Sequence, residues 1–311
     1  RFMFGLMACL GCALLNNSWD RPSFEGLVNL ISIEISNNPL SSIPVGVFAD
    51  VSNLETLILK FNKLSGLQNG LFEGLGKLRD LQLHENKIQV IEDQVFQGLD
   101  NLEKLSLAKN NLTSITSLPP NLFPHKNKLT KLYLDNNLLT GLPEGYFVGF
   151  PKLKVLTLNK NKLNSLPSVL FGEMPKLTEL SLHNNPWHCD CNLKDLHEWI
   201  RDNSEKLKPP VVCEHPELLK GQEIRSLRDD QLICPTLPPV TQLIKTTIPT
   251  TTVRKVMKLE HKHQPWRTML LRPVSGREVR PNSRALIATG RFLKKNLQRN
   301  GGVWVIVLAP L

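Results

Sequence analysis

Residues 54–64 read LETLILKFNKL and residues 78–88 read LRDLQLHENKI. Laid over each other they share one frame, L-x-x-L-x-L-x-x-N-x-L, with isoleucine admitted at the last apolar place. Working outward, the frame's asparagine recurs as Asn38, Asn62, Asn86, Asn110, Asn137, Asn161 and Asn185, at separations of 24, 24, 24, 27, 24 and 24 residues. A phenylalanine follows ten residues after most of them, as Phe48, Phe72, Phe96, Phe147 and Phe171, with Phe123 displaced by three. The Leu-x-Leu step predicts a short strand with its leucines inward. The asparagine brings an amide that can bond neighbouring backbone, and the phenylalanine fills the opposite, convex side. One such repeat cannot cover both of its flat faces, whereas stacked repeats cover each other and add ladder hydrogen bonds between strands.

A frame of this length and regularity is identified as the leucine-rich repeat. It implies an α/β solenoid, a horseshoe whose concave wall is a parallel sheet. The 27-residue step falls in TSITSLPPNLFPHKNK, a proline-bearing stretch expected to bulge from the outer arc and to leave the sheet intact. Such an array needs caps at its ends.

The C-terminal end shows one. NPWHCDCNL follows the last ladder asparagine, with Trp199, Cys213 and Cys234 beyond it. Asn192 is read as the cap of a helix that places Leu193, Leu196, Trp199 and Ile200 on one face, over the open end of the last repeat. Cys189 and Cys191 are too close to pair with each other, which leaves a crossed and a nested pairing with Cys213 and Cys234. Bridges of this kind belong in an oxidising compartment.

Asn-Pro-Trp-x-Cys-x-Cys, a later tryptophan, Cys213 and the run PELLKGQEIRSLRDDQLICP together resemble the C-terminal flanking cap of vertebrate extracellular leucine-rich repeat proteins. The group includes the regulatory subunit of carboxypeptidase N and the platelet glycoproteins Ib and V. The resemblance covers roughly residues 24–236. It implies bridges from first to third and from second to fourth cysteine, that is Cys189 to Cys213 and Cys191 to Cys234.

The chain then divides into an apolar leader at 1–15, repeats at 16–184, the cysteine-rich cap at 185–235, a Thr/Pro-rich stalk at 236–252 and a basic tail at 253–311. Phe24 lies 14 residues before Asn38, as Phe48 does before Asn62, so it belongs to an earlier repeat. The asparagine of that repeat is replaced by Leu14. FMFGLMACLGCALL therefore reads either as a signal-peptide core, with Gly11 and Ala13 at the cleavage site, or as a fragment of a damaged gene model. The stalk TLPPVTQLIKTTIPTTT cannot bury a core. The tail carries 13 Lys or Arg and two acids, a net +11 against +10 for the whole chain, so residues 1–252 sum to −1. It is read as disordered and as an arm for polyanions; nucleic acid fits badly with an oxidising compartment. GGVWVIVLAPL is too short for a membrane helix, so membrane association is not legible in this chain.

No phosphate-binding glycine loop, serine elbow or oriented carboxylate pair is present. His188, His197, Cys189 and Cys191 suit zinc by type, but bridges explain the cysteines better, and no metal or cofactor is expected. His84 and His183 are read as ordinary surface residues. What the array offers is a surface. Three columns face the concave wall, and their residues carry no duty in the frame. From them Ile58, Gln82, His84, Lys104, Tyr133 and Asp135, together with Phe61, are the candidate partner-binding residues, because large exposed groups anchor interfaces. Asn111 and Asn16 head N-x-S/T sequons and are candidate glycosylation sites. The expected function is that of a non-catalytic secreted or cell-surface scaffold for an extracellular protein ligand, such as a carrier or regulatory subunit of an enzyme. The alternative is an adhesion or antigen receptor standing on the Thr/Pro stalk.

Overall fold

The computed structural model describes residues 24–113, 122, 126–142, 146–167, 169–172, 174–234 and 304–308. All of them fall in one compact unit, formed by Arg1–Cys234 with Arg284–Leu311; the second unit, Pro235–Ser283, lies outside the described residues. So do the leader, Asn16, Phe123 and the insertion's prolines, the stalk, and the tail up to residue 303.

The concave sheet is built from β1 (Leu30–Ile35), β2 (Thr56–Ile58), β4 (Asp80–Gln82), β6 (Lys104–Ser106), β7 (Lys131–Tyr133), β8 (Val155–Thr157) and β9 (Glu179–Ser181), all parallel. Between β1 and β9 the register advances by one repeat at every pair, Ser32 to Thr56 to Asp80 to Lys104 to Lys131 to Val155 to Glu179. The 27-residue step crosses the sheet without a slip, as the sequence requires. On the convex side β3 (Gly66–Leu67) and β5 (Val90–Ile91) form a two-stranded sheet.

Strands of three residues hold because the asparagines extend the ladder. Asn86 Nδ2 donates to Leu59 O of the preceding repeat at 2.9 Å and to Leu83 O of its own at 3.0 Å, and its Oδ1 accepts from Leu64 N at 3.1 Å. Asn62, Asn110, Asn137, Asn161 and Asn185 repeat the pattern, and all seven ladder asparagines are buried. At the outer end Asn38 donates to Ser36 O, while its buried Oδ1 has no partner among the described residues. The residue before each asparagine adopts positive φ: Asn37, Phe61, Glu85, Lys109, Asn136, Lys160 and Asn184, at 53–58°. In every repeat before the last, that turn aims the N–H at the next repeat, as in Phe61 N to His84 O at 3.2 Å. Beneath lies a continuous leucine core with a phenylalanine spine, Phe24, Phe48, Phe72 and Phe96 stacking at 5.8, 6.5 and 6.0 Å.

At the C-terminal end α1 (Val169–Gly172) carries Phe171, and α2 (Lys194–Asp202) lies over it, with Trp199 and Phe171 rings 4.6 Å apart. Leu193, Leu196 and Ile200 are buried beneath it. The cap differs from the sequence reading at its start. Asp190, not Asn192, is the capping residue: its carboxylate accepts from Asn192 N at 2.8 Å and opens a 3-10 turn, Cys191–Leu193, that leads into α2. Asp190 stands in extended backbone just before the turn, where its carboxylate meets the free N–H two residues on, whereas Asn192 already lies inside the turn. Disulfides join Cys189 to Cys213 and Cys191 to Cys234, with Cα atoms 5.8 and 4.8 Å apart. Leu207 bridges to Leu180 and so covers the outer edge of β9.

The opposite edge holds a second departure. The sequence reading leaves all of 253–311 without structure, yet Trp304–Leu308 forms β10, which pairs parallel with β1 from Ser32↔Val305 to Ile35↔Leu308. A β-branched run at 305–307 favours extended backbone, and β1 would otherwise present a row of unpaired backbone groups.

Candidate functional site

The concave wall presents the side chains that the leucine frame leaves outward. Ile58, Gln82, Ser106 and Tyr133 are register partners across β2, β4, β6 and β7 and make one column. Ser106 is buried, as are Thr157 and Ser181 farther along the column. Small side chains sit in the shade of their neighbours, so Tyr133, half-buried between Ser106 and Thr157, rises above the floor on both sides. Burial raises the pKa of its phenol, with the surrounding charges acting after that. The phenol is therefore neutral and available as a hydrogen-bond donor.

Beside this column His84 meets Phe61 edge-on, ring centroids 5.8 Å apart. Burial, and after it the nearby Lys60 ammonium, holds the His84 imidazole below its ordinary pKa, so the ring is neutral at physiological pH. His183, three repeats on from Ala108 in the same lateral column, is lowered by burial and then by Lys160. The Nδ1 atoms of both rings are buried without a hydrogen-bond partner among the described residues. Neither histidine is thus the plain surface residue that sequence suggests: each carries an unsatisfied polar atom on the wall, which normally calls for an explanation. Phe61 itself is 40% exposed with φ 56°.

The charged candidates are more occupied than expected. Lys104 Nζ pairs with Asp80 at 3.0 Å, and Gln82 Nε2 donates to the same carboxylate at 3.1 Å. Asp135 accepts from Thr157 Oγ1 at 2.7 Å and from Asn136 Nδ2 at 2.9 Å. The expectation that concave residues carry no duty is corrected here, since the bonds from Lys104 to Asp80 and from Thr157 to Asp135 brace one repeat against the next. Period and frame say where a side chain points; they do not say which neighbours reach it. Ile58, Phe61, His84 and Tyr133 remain as the large side chains without a bracing bond. Asn111 is half-buried, and its N–H donates to Ile88 O at 2.9 Å.

The cap buries His197, whose role as a tie between segments is not legible in the sequence. His197 on α2 lies 3.0 Å from Leu227 O through Nε2, and its Nδ1 is 3.6 Å from Asp229. It ties α2 to the chain returning toward Cys234, and no group of three His, Cys, Asp or Glu suited to a metal occurs among the described residues. No helix there is long and apolar enough to cross a membrane.

A parallel solenoid, laddered by asparagine and closed by a disulfide-bonded cap, defines the class of stacked-repeat proteins. A family model described as "Leucine rich repeat" matches residues 28–88, 52–112, 77–123 and 127–186, and the chain belongs to the leucine-rich repeat family. Over 55 residues it is 44% identical to carboxypeptidase N subunit 2 of Mus musculus, covering 17% of this chain and 10% of that protein. Over 57 residues it is 39% identical to the leucine-rich repeat transmembrane protein FLRT2 of Rattus norvegicus, covering 18% of this chain and 9% of that one. The matched stretches thus span a tenth or less of these relatives. Among solved structures, human 5T4 (Wnt-activated inhibitory factor 1, Trophoblast glycoprotein) is similar at 25% identity with a TM-score of 0.51, over 67% of this chain and 89% of that one.

Proposed function

We propose that the chain is a non-catalytic extracellular scaffold that holds a protein partner against its concave wall, as a regulatory or carrier subunit does for an enzyme. The observation that carries this reading is Phe61. A bulky aromatic residue in the left-handed region is a strained choice, it is exposed, and it sits edge-on to a histidine with an unsatisfied nitrogen. Strain held at an exposed aromatic motivates a binding role. The two disulfides support an oxidising compartment, and the similarity to carboxypeptidase N subunit 2 supports the subunit role. In this reading Asn111 carries a glycan, and the basic tail makes secondary polyanion contacts.

Replacing Ile58, His84 and Tyr133 together with alanine tests the proposal. The full chain and the triple variant are each immobilised and offered plasma, cell-surface extract and the catalytic subunit of carboxypeptidase N. Partners captured by the parent should be lost by a variant that melts at the parent's temperature. Equal capture by both sinks the concave wall as the binding face. The similarity to a transmembrane protein favours a second reading, a receptor ectodomain on the Thr/Pro stalk. Binding confined to the cell-surface extract would select it.

A further inference from the structure

We infer that the C-terminal half of the array carries a second binding surface, on the flank where the chain enters the strands, and that its ligand is a linear sulfated polysaccharide. Between residues 126 and 178 the sequence holds eight lysines, Lys126, Lys128, Lys131, Lys152, Lys154, Lys160, Lys162 and Lys176, against the acids Asp135, Glu144 and Glu173. Lys160 and Lys162 follow β8, and the other six lie before or at the start of β7, β8 and β9. Lys128, Lys152 and Lys176 each stand three residues before equivalent strand positions, Lys131, Val155 and Glu179, and so form one column stepped at about 5 Å per repeat. Lys131 and Lys154 flank it, and Lys154 N donates to Thr130 O at 2.8 Å, which fixes the neighbouring backbones.

The same flank in the N-terminal half is neutralised. There Arg79 bridges Glu55 at 4.0 Å and Glu103 at 3.6 Å, whereas the equivalent C-terminal positions are Thr130, Lys154 and Thr178. None of the eight lysines makes an ion pair among the described residues, and Lys131, Lys152, Lys154 and Lys176 are exposed. Two are held ready. Lys128 Nζ donates to Asn101 Oδ1, and Lys126 lies over the Phe150 ring at 5.2 Å. Gly149 leaves room for that stem, since a Cβ there would come within 2.9 Å of Lys126 Cε. Unpaired cations at a regular spacing on a rigid frame repel each other in the free protein and are relieved by a chain of regularly spaced anions. A sulfated polysaccharide is such a chain. Nucleic acid is disfavoured by the compartment that the disulfides imply and by the burial of Tyr146, Phe147, Phe150 and Phe171, the rings nearest these lysines in sequence among the described residues apart from the half-buried Tyr133.

Lysine acetylation of the full chain, read residue by residue with and without a size-defined heparin oligosaccharide, tests the surface while keeping it apart from the basic tail. Labelling at Lys152, Lys154 and Lys176 should fall severalfold on heparin addition, and labelling at the exposed Lys63 and Lys87 should stay. Protection of tail lysines alone overturns the proposal. In parallel, a variant with Lys152, Lys154 and Lys176 changed to glutamine should bind immobilised heparin about tenfold more weakly at fixed salt. A control with Lys60, Lys63 and Lys87 changed to glutamine has the same net charge and an intact tail, and should bind as the parent does. Equal weakening of the two variants overturns the site, and equal protection by a DNA oligonucleotide overturns the assignment to sulfated saccharide.

Discussion

Phe61 stands where the frame asks for a residue at ease with positive φ. Asn37, Asn136 and Asn184 answer that demand at equivalent positions, because a short amide side chain tolerates the left-handed region that bulky side chains avoid. The backbone there is not free to relax, since in every repeat before the last the N–H of such a residue is committed to the next repeat, Phe61 N to His84 O among them. Phe61→Asn should therefore raise stability by about 1 kcal/mol while removing the exposed ring from the wall. Thermal melting and partner capture should move in opposite directions, up for the first and down for the second. A variant that loses stability would show that the ring's packing on His84 outweighs the backbone strain. One that gains stability and still captures its partner would leave Phe61 without a binding role.

At the level of elements, strands and cap were legible in the sequence to different depths. The strand column was fixed by Leu57, Leu81, Leu105, Leu132, Leu156 and Leu180, which recur once per repeat and are fully buried, so a slip by one residue would turn every leucine outward. The positive φ before each asparagine was not legible, because Phe61, Glu85 and Lys109 do not announce it and only the ladder's geometry requires it. Asp190 was missed for a different reason: several residues near the cap could accept the free N–H, and distance alone decides among them. The cysteines left crossed and nested pairings open, and the crossed one is present. These bridges close separations of 24 and 43 residues, and each should constrain the unfolded chain by about 3–4 kcal/mol. Cys213→Ser removes the bridge whose half-cystines are both buried. Its expected result is a lower melting temperature with early exposure of Trp199, read as a red shift in tryptophan emission before the main transition. Coincident emission and circular dichroism transitions would mean that the bridge does not hold α2 on the last repeat.

Across the whole molecule, stability is a sum of repeats and of the contacts between neighbours, so the two ends set how it comes apart. The C-terminal end is sealed by two disulfides, by Leu207 against Leu180, and by Trp199 against Phe171. The N-terminal end is closed by β10 alone among the described residues, and Asn38 there keeps a buried oxygen without a partner. Unfolding should begin at β1 and β2 and run toward the cap. Asn86→Ala sharpens the test, because it deletes the bonds to Leu59 O, Leu83 O and Leu64 N at once; the two carbonyls keep Asn62 and Asn110 as donors, but the buried Leu64 N–H is left unpaired at about 1–3 kcal/mol. Native-state hydrogen exchange of the variant should accelerate at β1, β2 and β4, with β8 and β9 changed far less, since their neighbours and the cap are untouched. Acceleration that is uniform from β1 to β9 would mean that the array unfolds as one cooperative block, in which the position of a lost ladder bond does not matter and the cap protects no part of the sheet more than another.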